Sequence, residues 1–381
     1  MAKKRLALQM NLLRSRFWHR LLGLWLGAVL LLVCLTGSIL LFKNPLLQWL
    51  YPQLQISLVD DPQLQGRMLD SLDQSQYGFA RLPNKDRPWL ELSRHDGTLE
   101  YWAVPATAAE APQLLLSRAP YSDVLDWCYQ LHLYLFVKSW KHQLLGVVGI
   151  GGLLLLIAGL KTQWPSRWRM LKLPLSQRGR TVPGGRMGWH NARQWHYLIG
   201  VFSLPLLLLV IITGTAMAYN AQTQQLISWL LQDPPQPKAA PEPAFAATTL
   251  TASDWGMWLS TARQALPQAQ LRLASFRKSA TDAVQFRAQL PEEWHPNGRT
   301  VLRLAPDGSL LSLQRATDLA PGRQLSQLIY PLHVAAVGGP LYLWLLCATG
   351  LLPALLWWFG WRWRQGRQQK TAISLSHRHH S

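Results

Sequence analysis

Long apolar runs alternate with polar segments along this chain, and the runs set the architecture. Leu21 to Phe42 and Leu198 to Tyr219 each hold enough residues, at about 1.5 Å of rise apiece, to cross a hydrocarbon core of about 30 Å without a charged side chain. Leu144 to Leu160 is a shorter run and Leu341 to Trp361 a full-length one. The pattern predicts four membrane-spanning helices. Between the first and second, and again between the third and fourth, lie polar segments with alternating apolar positions, the mark of strands. Trp89-Leu90-Glu91-Leu92 and Tyr101-Trp102-Ala103-Val104 flank Asp96-Gly97, while Val301 to Leu304 and Leu310 to Leu313 flank Asp307-Gly308. Asp-Gly between such runs predicts a hairpin in each segment. A helix is expected in each as well, around Gly66 to Leu72 and around Trp255 to Leu266. The expected fold class is therefore a membrane α-helical protein with four transmembrane helices, as two repeated pairs, and two small α+β domains.

Charge placement orients the chain. Lys and Arg cluster before the first span, between the second and third, and after the fourth, whereas all 19 Asp and Glu residues fall between Asp60 and Asp126 or between Asp233 and Asp318. By the positive-inside rule the basic segments are cytoplasmic. The expected divisions are 1-17 basic N-terminus, 18-42 first span, 43-126 first outer domain, 127-160 second span with an outer extension, 161-194 basic loop, 195-219 third span, 220-327 second outer domain, 328-361 fourth span and 362-381 tail. Residues 233 to 243 read as a proline-rich linker. The formal charge of +19 thus describes topology and attraction to anionic lipid. It does not call for nucleic acid. Phe42-Lys43-Asn44-Pro45 is no small-residue cleavage site, so the first span is expected to be retained. The 3 cysteines form no disulfide framework.

The chain also repeats itself. Trp18-His19-Arg20-Leu21-Leu22-Gly23 recurs as Trp195-His196-Tyr197-Leu198-Ile199-Gly200, and eighteen positions after each His comes a glycine, Gly37 and Gly214. Eighteen residues are five turns, so each His and its glycines share a helix face. A second pair of histidines, His132 and His333, precedes the even spans, with Gly149 and Gly350 seventeen positions on. Nearly thirty residues of continuous helix, roughly 40 Å, would separate each of these from its basic flank. His19 and His196 are then expected at the inner surface, His132 and His333 at the outer.

Symmetric histidine pairs beside a membrane point to ligation, against the plainer role of anchoring helix ends. Zinc or copper would want more His, Cys or carboxylate, and the spans hold no carboxylate. A b-type haem needs one or two neutral imidazoles, an apolar slot and cations for its propionates. Gly23 and Gly200, one turn from His19 and His196, leave room for a flat macrocycle; Arg16, Arg20 and Arg193 are the propionate candidates. His142, four residues before Gly146, is the alternate to His132. His95 and His295 are expected to be solvated. Covalent haem attachment is excluded, since no Cys-x-x-Cys-His occurs.

At these motifs the chain resembles the PepSY-associated transmembrane family, with Trp-His-x-x-x-Gly in the odd spans, Thr-Gly near their far ends and Leu-His before the even ones, over about Phe17 to Trp363. Within that family it is similar to the inner-membrane ferric-siderophore reductases. The resemblance implies two haem b groups, the inner held by His19 and His196 and the outer by His132 and His333, PepSY-like domains in the periplasm, and both termini in the cytoplasm of a bacterium. It also implies electrons passed outward to a ferric siderophore, of the hydroxamate class, which releases ferrous iron. No flavin or nicotinamide fingerprint is present, so the electron donor is expected to be quinol or a cytoplasmic reductase. The alternatives are a haem-free PepSY-type sensor or accessory membrane protein, and a siderophore transporter.

Overall fold

The structure, a computed structural model, describes residues 2–163, 189–235, 254–277, 279 and 282–379. Most of the basic loop between the second and third spans, and the proline-rich linker beyond Pro235, lie outside the described residues. The chain divides into two compact units, one of Met1–Leu41, Cys128–Tyr219 and Gly338–Ser381, the other of Phe42–Trp127 and Asn220–Val337.

The first unit is a helical bundle. It is built from α1 (Ala2–Leu40), the end of α4 (Val124–Tyr134), α5 (Lys141–Gln163), α6 (Trp189–Ala218) and α11 (Gly339–His379). Four stretches are long and apolar enough to cross a membrane: Ser15–Leu40, Val124–Lys161, Ala192–Ala218 and Gly339–Gly366. Their outward side chains are apolar, among them Trp25, Val147, Phe202 and Leu341. In water that surface would be a liability; in lipid it is the expected exterior. α1 and α6 each pack against both α5 and α11. Small residues permit the close approach, as the repeat prescribes: Gly149 of α5 lies against Thr215 of α6, and the matching Gly350 of α11 lies against Ser38 of α1. The Ser38 hydroxyl donates to the Cys347 carbonyl at 2.9 Å, so it is satisfied within the bundle.

One expectation changes here. The even spans do not run as unbroken helices from His132 and His333 to their basic flanks. Leu135 and Phe136 take positive φ (47° and 63°) between α4 and α5. In the second copy Ala335 (51°), Gly338 (80°) and Gly339 (66°) do the same between α10 (Ile329–His333) and α11. Left-handed backbone ends a right-handed helix, so both copies turn two or three residues after the His.

The second unit is one antiparallel sheet of eight strands, in the order β4-β3-β2-β1-β5-β6-β7-β8. The strands are β1 (Tyr77–Arg81), β2 (Leu90–Arg94), β3 (Leu99–Ala103), β4 (Gln113–Arg118), β5 (Gln270–Ser275), β6 (Val284–Gln289), β7 (Thr300–Leu304) and β8 (Leu310–Gln314). The two polar segments, expected as separate domains, are thus joined through β1 and β5, with Ala80 opposite Ala274. Both Asp-Gly hairpins are present. Gly97 and Gly308 take the positive φ the turns require, and Asp96 and Asp307 accept from the amides two residues on. They are not equivalent by strand order, however: the first joins the second and third strands of its half, the second the third and fourth.

Helices α3 (Pro62–Asp70) and α8 (Trp255–Ala265) cover one face. Asp61 and Asp254 cap them, accepting from the amides of Leu64 and Met257. A single core runs under both, from Met68 and Leu69 through Ala80 and Leu92 to Trp258 and Phe286. The two halves therefore cannot fold independently without exposing it. The opposite face carries a transverse row of paired residues, Tyr101, Glu91, Arg81, Leu273, Arg287 and Val301. On the first half this face is closed by α2 (Lys43–Leu50) and the start of α4, through Leu47, Trp89, Tyr101 and Leu125.

Glu91 is buried there in an ion pair with Arg81, with Arg87 at 3.9 Å. Burial pushes its carboxyl up, but Arg81, Lys43 and Arg87 more than offset this and hold it at about 2. Asp123, bound bidentately by Arg118, is likewise held at about 2 against the same burial penalty. An unfolded Glu titrates near 4.5, so the stabilisation is complete above that pH and drains away as pH falls toward about 2. For Glu91 this amounts to about 3 kcal/mol. Melting temperatures of the full-length protein in detergent should fall steeply between those limits. Glu91→Gln should lower the neutral-pH value and flatten the slope; an unchanged slope would show that Glu91 is not the acid-sensitive group.

Candidate functional site

Three of the four repeat histidines use one construction. His19 of α1 places Nδ1 at 3.2 Å from the Leu155 carbonyl of α5, and its ring lies over Gly159. His196 of α6 places Nδ1 at 2.8 Å from the Leu356 carbonyl of α11, over Gly360. His132 of α4 places Nδ1 at 2.8 Å from the Val33 carbonyl of α1, over Gly37. In each case the glycine follows the accepting residue by four positions. That spacing has a cause. A helical carbonyl already accepts from the amide four residues later, and an imidazole that reaches its second lone pair by lying over that later residue takes the space of a side chain there. A Cβ at Gly159 would stand 2.9 Å from His19 Cε1, one at Gly37 2.7 Å from His132 Cε1, and one at Gly360 3.4 Å from His196 Cε1.

A carbonyl can only accept, so Nδ1 carries the proton in all three rings and Nε2 keeps its lone pair. This is how ligating imidazoles are commonly held. The His19 and His196 rings are neighbours in the bundle, edge to face, with centroids 6.1 Å apart and planes at 80°. Metal–imidazole bonds of about 2 Å would put the centres of two rings sharing one metal roughly 6 Å apart. Among the described residues no group of three or more His, Cys, Asp or Glu could hold a bare metal ion. Two axial imidazoles without further protein donors suit a macrocycle that brings its own equatorial nitrogens. The residues present therefore fit a b-type haem.

Gly23 and Gly200 look onto the side chains of Leu155 and Leu356, each at 3.6 Å from an added Cβ, and lie at the contact between neighbouring spans. Arg16 and Arg20 are exposed, and Arg193 lies with its guanidinium 5.5 Å from the centre of the Trp363 ring. His142 is exposed and places Nδ1 at 2.7 Å from the carbonyl of Ala218, the last residue of α6. Four residues beyond Ala218 stands Gln222, not glycine. His142 thus satisfies an orphan carbonyl at a helix end. It lacks the construction that His132 shares with His19 and His196. His333 belongs to the sheet unit, at the end of α10, while His19, His132 and His196 belong to the bundle.

Gly159 and Gly360 were not singled out in the sequence, although both stand twenty-seven positions after a repeat histidine, His132 and His333. The same regularity places Val210 and Gly214 in the third span where Val33 and Gly37 stand in the first. A second correction concerns His295, expected to be solvated. It is buried, stacked on Tyr330 with centroids 4.7 Å apart, and burial with Arg299 and Arg287 nearby drives its pKa down to about 3.

No curated protein sequence matches the chain. A family model does, along nearly the whole length that holds the repeat, from residue 16 to residue 365. The four apolar helices, the duplicated histidine motifs and that match agree, and the chain belongs to the family of the PepSY-associated TM region.

Proposed function

We propose that this membrane protein is a di-haem reductase that passes electrons across the bilayer to a ferric siderophore. The observation that carries the reading is the pair His19 and His196, with ring centroids 6.1 Å apart and Nδ1 of each committed to a carbonyl. His132 repeats the construction against Gly37, eighteen residues and roughly 27 Å further along α1. It is the proposed ligand of a second haem, for which the sequence repeat pairs it with His333. Haem, when bound, supplies reversible one-electron exchange at an iron held within the apolar bundle.

The protein's own residues then do two things. The carbonyls of Leu155, Leu356 and Val33 fix each imidazole's tautomer and angle. The glycines admit the rings. Ferric iron in a hydroxamate chelate is a hard ion held by charged oxygens, and one added electron lowers its charge and loosens it as ferrous iron. The basic segments support a reading with both termini in the cytoplasm, the spans in a bacterial inner membrane and the sheet unit in the periplasm, and with quinol or a cytoplasmic reductase as electron source.

Purified protein, reduced with dithionite and freed of excess reductant, should be mixed anaerobically with a ferric hydroxamate siderophore and a ferrous-specific chelator. Oxidation of the haem bands with equivalent capture of ferrous iron is expected. Haem bands that stay reduced over minutes would reject the substrate class, and a colourless folded preparation would favour the haem-free accessory role.

A further inference from the structure

The face of the sheet opposite α3 and α8 differs between its two halves. Around the centre of the sheet, Glu91 on β2 and Arg287 on β6 occupy corresponding places, each one strand out from the β1–β5 seam in the same transverse row. Glu91 is neutralised by Arg81 and Arg87. Arg287 faces another cation instead. Arg299 stands two residues before Val301, the residue paired with Arg287, so the two side chains are diagonal neighbours on one face. Among the described residues no carboxylate lies within ion-pair distance of either guanidinium.

The local hydrogen bonds leave this cluster short of acceptors. Arg299 Nη2 points to His295 Nε2 at 2.9 Å, and the Asn297 amide points to His295 Nδ1 at 3.2 Å. Both are donors, and a neutral imidazole can accept at only one nitrogen. Arg299 Nε is buried without a partner. The nearby acid, Glu293, is spent on the amides of Arg299 and Thr300 and on the Thr300 hydroxyl. Leaving the Arg299 Nε donor buried and unmatched costs free energy that a bound oxyanion would recover. The planar fork of arginine matches a carboxylate in particular.

We propose that Arg287 and Arg299, beside the His295–Tyr330 stack, form a binding site for a carboxylate. Tyr330 stands one helical turn before His333 on α10, so the site lies close to that residue. A carboxylate there has two sources, the propionate of a haem ligated at His333 or the acid group of a soluble ligand. The first rests on the reading given under Proposed function; the second does not.

The test uses the full-length protein in detergent, as wild type, Arg287→Gln and Arg287→Lys. In one arm, haem content and redox titrations are compared. Loss of one haem, or a lower potential for one haem in Arg287→Gln that the lysine variant partly restores, identifies a propionate, since an uncompensated carboxylate favours the ferric state. In the other arm, citrate is titrated and thermal stabilisation recorded. A citrate affinity about tenfold weaker in Arg287→Gln, and weakened less in Arg287→Lys, identifies a soluble acid. If wild-type protein carries no haem, the citrate arm still decides. Should Arg287→Gln not fold, the lysine variant, which keeps the charge but not the fork, carries both comparisons. The proposal is overturned if neither arm distinguishes the folded variants from wild type.

Discussion

Valine at position 159 is expected to abolish the proposed haem binding at His19 and His196 while leaving the proposed site at His132 loaded. The glycine lies under the His19 ring, and even a bare Cβ would stand 2.9 Å from Cε1, with 3.2 Å to Nδ1. The larger side chain must push the imidazole off the Leu155 carbonyl, which frees its tautomer and moves the ring from its place beside His196. Gly37→Val should do the reverse, displacing His132 from Val33 and sparing the first site. Each variant should lose about half the haem of wild type, and the absorption bands that remain should differ between the two. Gly23→Val is the control, because its neighbour is the movable Leu155 side chain at 3.6 Å. Equal, full haem content in Gly159→Val and Gly37→Val would show that the imidazoles do not need the glycine slots.

The second large effect concerns stability in the sheet unit. α3 and α8 cross where Gly66 meets Gly256, and a Cβ on Gly66 would overlap the Gly256 backbone. Backbone cannot rotate aside, so Gly66→Ala must separate the helices above the shared core of Met68, Trp258 and Phe286. An overpacking cost of about 3 kcal/mol is expected. A Cβ on Gly256 meets instead the flexible end of Gln63, at 2.7 Å from Oε1, and Gly256→Ala should cost about 1 kcal/mol. Hydrogen exchange in β6 and β7 reads the difference. Amides there should exchange roughly a hundredfold faster in Gly66→Ala, since they open with the core. Equal protection in the two variants would mean the crossing is looser than the structure has it.

These two glycine sets show where sequence reasoning reached and where it stopped. The spans were legible because the bilayer imposes a one-dimensional rule, twenty or so apolar residues with basic flanks. The histidines were legible because duplication repeated their spacing. Helical periodicity, however, sees only one helix at a time, so it selected Gly23 and Gly200, on the same helices as His19 and His196. The glycines that receive the rings, Gly159 and Gly360, belong to neighbouring helices, and only their shared distance from His132 and His333 hinted at them. The single sheet escaped for a related reason. β1 and β5 are short strands nearly two hundred residues apart, and nothing local to Tyr77–Arg81 or Gln270–Ser275 says that each is the other's edge. Matching the two Asp-Gly turns placed them one strand out of step. His295 was misread because burial depends on Tyr330, thirty-five residues on.

The proposed function requires that His19 and His196 hold one haem between them. Ring planes 80° apart, if retained around the iron, leave its two dπ orbitals nearly equal in energy, and a ferric low-spin centre of that kind gives a strongly anisotropic paramagnetic resonance signal. The direct measurement is haem per chain together with that resonance, in wild type and His196→Ala, on folded protein from haem-replete cells. The expected result is two haems in wild type and one in the variant, with the anisotropic low-spin signal of the lost haem gone. A wild-type protein without haem, or a His196→Ala variant with the same haem content and the same resonance as wild type, would contradict it.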